Sequence, residues 1–292
     1  MKIKLITDSS SDVSLEFYKK NNIRVIPIAV ILGDSEYRDL YDMTVQDIFD
    51  FVAKTKKLPK TAATGAETFK KIFEEECSDG SHVIYIGLGS ALSTTFASAK
   101  KAENEINNGR VHCIDSKNLS TGEMLLLLYA KDLIDSNKYS PEEIVRKIED
   151  RVSSVQTSFV VDTLEYLYKG GRCSMLAMFG ANLLKLKPKL QVIDGKIVST
   201  DKYRGKMLPV YLKYVDDTLA KFNNPDTTRC FITHASADEE LVSEVVKHVK
   251  EKNIFKEVIE SVANGTVTSH CGKGTLGILY INDGGNTLWK NF

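Results

Sequence analysis

The chain has 292 residues, 42% of them hydrophobic, and its 39 basic and 39 acidic side chains cancel to zero net charge. That length holds one large or two modest domains with a full core. The charge balance, without a concentrated basic stripe, argues against a nucleic-acid partner; short clusters such as Lys54, Lys56 and Lys57 read as solvated surface.

Met1 to Asp8 reads as the start of a strand and not as a targeting leader. Lys2–Thr7 is a short apolar strand, Ser14–Lys20 is helical, and Arg24–Leu32 is expected to form a second strand. Thr44–Lys54 has helical spacing, with Val45, Ile48, Phe49 and Val52 on one face, and Glu67–Glu76 repeats the pattern with Phe69, Ile72 and Phe73. His82–Leu88 is a buried-type strand, followed by Ser93 as a helix N-cap and a helix from Thr94 to about Asn107. Strand Arg110–Asp115 and helices Thr121–Asp135 and Pro141–Val152 complete this half. Strands alternating with helices of this length imply a parallel α/β sheet. The longest notable apolar run, Met124–Ala130, is far below the roughly 18 residues needed to span a membrane.

From about residue 156 the pattern changes. Thr157–Val161 reads as a strand, and Leu164–Lys169 and Leu176–Leu186 as helices. Lys189–Ile193, the turn Asp194-Gly195 and Lys196–Thr200 form a hairpin signal. Helix Met207–Phe222, strand Arg229–His234, helix Glu239–Lys252 and strands Glu257–Val262 and Leu276–Ile281 follow. The expected fold is therefore α/β with two domains: residues 1–155 around a parallel sheet and residues 156–292 as an α+β unit with a mixed sheet. Five scattered cysteines, Cys77, Cys113, Cys173, Cys230 and Cys271, are odd in number and contain no C-x-x-C pair. Reduced thiols of the cytoplasm fit them better than a disulfide framework or a structural zinc site.

Several motifs bear on chemistry. Gly272-Lys273-Gly274-Thr275-Leu276-Gly277 matches G-x-G-x-x-G, but it precedes a strand, whereas the dinucleotide fingerprint follows one and opens a helix. The strand–turn–helix unit from His82 to Ser93 is more informative, because ligands of parallel sheets bind beyond the carboxyl ends of strands. A helix start there, with the hydroxyls of Ser93, Thr94 and Thr95, suits an anion. A simple capping role for Ser93 fits equally well. Lys60-Thr61-Ala62-Ala63-Thr64-Gly65 offers a second hydroxyl-rich turn, for which capping is the default. No cysteine or carboxylate neighbour gives His270 a triad or metal spacing, so it reads as a structural residue, and Asp8 reads as a capping or turn residue.

Together these segments resemble the DegV family of bacterial fatty-acid-binding proteins, which includes the binding subunits of fatty acid kinase. The likeness runs nearly end to end, through Ile6-Thr7-Asp8-Ser9-Ser10-Ser11-Asp12, Val25-Ile26-Pro27, Leu92-Ser93-x-Thr95 and Ile114-Asp115-Ser116. It continues through Leu164–Arg172, Leu186-Lys187-Pro188, Asp194-Gly195, Lys202-Tyr203-Arg204 and Ser269-His270-x-Gly272-x-Gly274. Three places depart from the family pattern. Thr61-Ala62-Ala63-Thr64-Gly65 stands for Thr-Ser-Gln-Pro-Ser, Leu92-Ser93-Thr94-Thr95 for Leu-Ser-Gly-Thr, and Gly272-Lys273-Gly274 for Gly-Pro-Gly.

The resemblance implies a ligand cleft between the two domains. In it Thr61, Ser93, the backbone of Thr94 and His270 would hold the carboxylate of a long-chain fatty acid whose tail enters a closed apolar tunnel. Met175–Leu184 is a candidate wall. The resemblance also implies a non-catalytic carrier without cofactor or metal. A separate ATP-dependent kinase subunit is the implied partner, with Arg172 and Arg204 serving docking and phosphoryl transfer. An enzyme acting on a small anionic substrate at the same strand–helix site is the alternative.

Overall fold

Short strands alternate with helices along the chain, and hairpins at residues 29–38 and 187–203 interrupt the alternation once in each half. The computed structural model describes residues 2–173 and 186–285. Its elements begin with β1 (Ile3–Asp8), a 3₁₀ turn at Ser9–Ser11, α1 (Leu15–Lys20), β2 (Ile23–Ile26), β3 (Ala29–Leu32) and β4 (Ser35–Arg38). They continue with α2 (Val45–Thr55), β5 (Lys60–Ala62), α3 (Ala66–Cys77), β6 (His82–Gly87), α4 (Thr95–Ile106) and β7 (Val111–Asp115). Next come α5 (Thr121–Asp135), α6 (Pro141–Val152), β8 (Val155–Val160), α7 (Glu165–Lys169), β9 (Lys187–Ile193) and β10 (Lys196–Tyr203). The chain closes through α8 (Met207–Lys221), β11 (Arg229–Ala235), α9 (Glu239–Glu251), β12 (Glu257–Val262), α10 (Gly265–Cys271) and β13 (Thr275–Ile281).

These strands make a parallel four-stranded sheet, β2-β1-β6-β7, a mixed six-stranded sheet, β10-β9-β8-β13-β11-β12, and a small antiparallel sheet, β4-β3-β5. In the six-stranded sheet only β11 and β12 run parallel. The helix starts follow from local chemistry: Thr44 and Ser140 build capping boxes with Asp47 and Glu143, and Pro141 opens α6 at a position where its missing N–H costs no helical hydrogen bond.

One helix joins the two large sheets. Every residue of α5 from Thr121 to Ala130 is buried, because one face packs on Leu5, Ile84 and Ile114 of the parallel sheet and another on Phe231, Leu279 and Ile281 of the mixed sheet. A helix that is apolar on all sides is stable only where it is covered on all sides. The run Met124–Ala130 is thus the centre of the buried core, and among the described residues no helix is long and apolar enough to cross a membrane. The outer face of the parallel sheet is closed by α3 and α4 through Phe69, Phe73, Ala99 and Ala102, and that of the mixed sheet by α8 and α9.

Three expectations change. Arg24–Leu32 is not one strand: it splits at Pro27-Ile28 into β2 and β3, which belong to different sheets. Pro27 brings no N–H to a ladder, and the Ile28 N–H turns to Ser9 Oγ at 3.0 Å. Lys60-Thr61-Ala62 is a strand paired to β3 and not a turn, and β4 and α10 were not anticipated. The helix expected at Leu176–Leu186 lies almost wholly outside the described residues.

The first turn of α5 also buries a carboxyl group. Glu123 accepts from Thr7 Oγ1 at 2.5 Å and Ser10 Oγ at 3.0 Å. Burial, reinforced by the charge of Asp8, pushes its pKa well above the ordinary 4.5. The folded state therefore keeps a proton that the unfolded chain releases as pH passes 4.5, and this group's contribution to stability declines from there toward the folded pKa. Glu123→Gln, neutral at every pH, should gain on the parent protein as pH rises through that window, by up to about 1.4 kcal/mol per pH unit. Urea denaturation at stepped pH measures the difference; a pH-independent difference would show that the carboxyl is ionised in the fold.

Candidate functional site

A cavity of about 390 Å³ lies where the turn after β6, strand β5, helix α10 and the segment after α7 converge. Its volume is in the range of small-molecule sites. Much of its wall is apolar, built from Ile28, Leu88, Leu119, Leu167, Ile197 and Val267. Its polar groups include Thr61, Ser93, Thr94, Arg172 and His270, so the cavity gathers residues that stand more than two hundred positions apart in sequence.

Thr61 and His270 meet directly, Oγ1 to Nε2, at 2.9 Å. Thr61 is fixed by β5, where it pairs with Val30 of β3. His270 lies in the last turn of α10, a short helix whose start is held by Asp39. The Asp39 carboxylate accepts from the N–H groups of Gly265 (2.8 Å) and Thr266 (2.9 Å) and from Thr266 Oγ1 (2.6 Å). The Asp39 N–H in turn donates to Ile28 O at 3.0 Å. One buried carboxylate thus ties α10 to the small sheet that carries Thr61. Asn264 adds a second tie, its N–H donating to Asp12 Oδ1 at 2.8 Å and its side-chain amide to Ser9 O at 2.9 Å.

The turn after β6 is fixed from below and from the side. Asp8 Oδ2 accepts from Tyr85 OH (2.8 Å) and the Leu88 N–H (3.0 Å), and Ser90 Oγ donates to Asp115 Oδ2 at 2.5 Å. The Gly89 N–H donates to Asn118 O, and a side chain at Gly89 would meet Asn118 backbone at 2.9 Å. Ser93 sits one residue before the position expected from sequence: the N-cap of α4 is Thr94, and Ser93 Oγ accepts from the Thr95 N–H at 3.2 Å and contacts Thr95 Oγ1 at 2.9 Å. Thr94 is exposed and makes no side-chain capping bond, so its hydroxyl is not committed to the helix.

Arg172 reaches the same cavity from the end of α7. Its Nη1 donates to Gly170 O at 2.5 Å and its Nε to Leu92 O at 3.3 Å, and among the described residues it has no carboxylate partner. Burial lowers its pKa, though a guanidinium stays charged. Its charge acts on His270: burial first, and Arg172 second, depress the imidazole to a pKa of about 4. His270 is thus neutral at physiological pH, and its buried Nδ1 has no hydrogen-bond partner among the described residues.

The motifs around Gly170 and Gly272 interlock. A Cβ on Gly170 would lie 2.5 Å from His270 Nδ1, and one on Gly272, where φ is +76°, would lie 2.7 Å from the Tyr166 ring. Arg204 is not brought to the cavity. It is exposed just beyond β10, whose last residue Tyr203 donates its hydroxyl to Asp217 Oδ2 at 3.0 Å. Met175–Leu184, expected as a wall, lies outside the described residues. Asp39 had no functional signal in the sequence and Gly170 only its place in the Leu164–Arg172 pattern, since each acts through a residue far along the chain.

A family model described as the DegV family of uncharacterised proteins matches residues 2–283. Protein DegV of Bacillus subtilis is 29% identical over 282 residues, covering 96% of this chain and 99% of its own length. A DegV domain-containing protein of Clostridium acetobutylicum is 32% identical over 288 residues, with 97% and 99% covered. Among solved structures, a DegV family protein from Thermus thermophilus, described by its fatty acid binding, matches with a TM-score of 0.88 at 28% identity, covering 97% of this chain and 100% of that one. DegV from Bacillus subtilis, described as a fatty acid binding protein, matches with a TM-score of 0.82 at 27% identity and the same coverage.

The close approach of Gly170 to His270 gives a test of this geometry. Gly170→Ala forces the imidazole or the end of α7 to shift, which should cost about 1–3 kcal/mol of stability. In the parent protein NMR should show the His270 imidazole titrating near pH 4, and the variant should move it back toward 6.5. Unchanged stability and an unchanged titration in the variant would show that the two residues are not in contact.

Proposed function

Because this chain belongs to the DegV family, whose model covers residues 2–283, we propose that it binds a long-chain fatty acid in the cavity. Thr61, Ser93, Thr94 and His270 hold the carboxylate, and the apolar wall takes the chain. The observation that carries this reading is the Thr61–His270 pair at 2.9 Å on the wall of a largely apolar cavity. The lobes of the proposal are residues 1–155, which bring Thr61, Ser93 and Thr94, and residues 156–292, which bring His270 and Arg172. The tail runs into a closed tunnel between them.

The energetics divide along the ligand. Each buried CH₂ contributes about 0.8 kcal/mol, so a long tail supplies ample gross affinity. The head group then needs only to recover what it loses on leaving water. The neutral imidazole decides how. With its proton on Nε2, His270 donates to Thr61 Oγ1 and leaves Nδ1 as a bare acceptor, which is more easily tolerated than a bare N–H. Thr61 then has its own hydroxyl hydrogen free for the carboxylate. The amino end of α4 and the charge of Arg172 add a positive potential without a salt bridge that would lock the ligand in place.

This arrangement supports binding over catalysis on a small anion. A general base near neutral pH needs a pKa near 7, whereas His270 is depressed to about 4. We assign the protein to the cytoplasm, in keeping with five free cysteines that are all buried. A separate ATP-dependent fatty acid kinase is the proposed partner. Arg172 at the cavity would meet the added phosphoryl charge, and exposed Arg204 would meet the partner, since guanidinium forks suit phosphate and carboxylate alike.

Two experiments follow. Native mass spectrometry of gently purified protein should show a co-purified long-chain acid, and Thr61→Ala and Ser93→Ala should each weaken rebinding of palmitate or oleate by about 1.5–3 kcal/mol while leaving the protein folded. Empty protein that takes up neither acid would count decisively against the reading. With the kinase of the same organism and ATP, Arg172→Ala and Arg204→Ala should retain the acid but lose its phosphorylation. Full phosphorylation in both variants would remove the kinase from the proposal without touching the lipid.

A further inference from the structure

A second constellation lies at the other end of β6 from the cavity. The carboxyl end of β6 leads to Leu88 in the cavity wall, while its first residue is His82. In the parallel ladder between β6 and β7, Ile84 stands opposite His112. Side chains alternate along a strand, so His82, Ile84 and His112 share one face of the sheet. Ile84 belongs to the same core as Ile144 and Ile148 of α6, which places α6 over that face. The first turn of α6 carries Glu142.

The result is three donor groups at one point. His82 Nδ1 and His112 Nε2 face each other at 3.4 Å with ring planes only 3° apart, and a Glu142 carboxylate oxygen lies within 4.8 Å of a ring nitrogen of each histidine. An ordinary N–H hydrogen bond is shorter, at about 2.9–3.0 Å. Two nitrogens on the edge of a tetrahedron with zinc–nitrogen bonds of about 2.0–2.1 Å stand roughly 3.3 Å apart. The spacing, long for a hydrogen bond between the two rings, is also that of two imidazoles sharing a metal. The third group is shared with the helix start: the capping box of α6 pairs Ser140 with Glu143, and the exposed Glu142 carboxylate, which has several lone pairs, also accepts from its own N–H and from the Ser140 hydroxyl.

We infer that His82, His112 and Glu142 form a binding site for a divalent cation of the zinc class, with water completing the coordination. Two imidazoles and one carboxylate are a donor set suited to zinc, and three protein ligands leave a position open. The scaffold suggests what such a site does. β7 is the edge strand of the parallel sheet, and α6 is the segment that leads from that sheet to β8 of the mixed one. A metal held by β6, β7 and α6 clips this connection to the sheet edge and stabilises the folded chain by mass action.

The test uses the full chain, stripped with a chelator and exchanged into chelator-free buffer, with zinc chloride as the probe. Isothermal titration should show one zinc per chain, and native mass spectrometry should retain one zinc on the folded ions. Free zinc at a hundred times its dissociation constant should raise the folding equilibrium about a hundredfold. Cobalt in its place should give the strong visible absorption of a four-coordinate site. Glu142→Gln, an exposed change, should weaken zinc at least tenfold, and His112→Gln at least a hundredfold. If the histidine variant does not fold, the exposed Glu142 variant alone decides. No zinc uptake by the parent protein, or parent-like affinity in Glu142→Gln, would overturn the inference. Neither outcome depends on whether a fatty acid occupies the cavity.

Discussion

The architecture depends on a helix that cannot tolerate water on any side. Helix α5 places leucines around its whole circumference, and the two large sheets supply the cover, one on each face. That demand fixes how the sheets lie relative to each other. It also fixes what meets at their junction: the turn after β6 from one sheet, α10 and the end of α7 from the connections of the other. The cavity is a by-product of this packing, lined by the loops that the shared helix brings face to face.

Much of the fold was legible because its elements are long and periodic. The boundaries of α5 and α6 coincide with those expected, and the Asp194-Gly195 hairpin follows from turn chemistry alone, Asp194 and Gly195 both having positive φ. The parts that were not legible share a cause. Helix α10, Gly-Thr-Val-Thr-Ser-His-Cys, is short and rich in poor helix formers. It forms because Asp39, 226 residues earlier, holds its first N–H groups. The split of Arg24–Leu32 likewise comes from a side chain elsewhere, Ser9, offering the Ile28 N–H a better partner than a ladder.

The candidate site shows the same division. Thr61, Ser93, Thr94, Arg172 and His270 could be singled out by residue type and by resemblance, and all five line one cavity. Their relations could not be read. That His270 bonds Thr61, that burial and then Arg172 depress its pKa, and that Gly170 must lack a side chain for the imidazole to fit all follow from packing between distant segments. The departures at Ala62 and Ala63 gain meaning here as well. Both line the cavity, so where the family carries polar groups this chain presents methyls beside Thr61.

The tie between Asp39 and α10 has a consequence for the order of events in folding. Closing a loop of more than two hundred residues is entropically expensive, so contacts of this span tend to form after local ones. The hairpins β3–β4 and β9–β10 and the helices beside them can assemble from near neighbours in sequence, and β1–β6 and β8–β13 close loops of intermediate length. The Asp39–Gly265 and Asp12–Asn264 bonds are longer in span than any of these. The cavity is therefore the last region expected to mature, and its occupant would be captured only by chains that have already completed both sheets. Occupancy would then report on the quality of the folded population as well as on the supply of ligand.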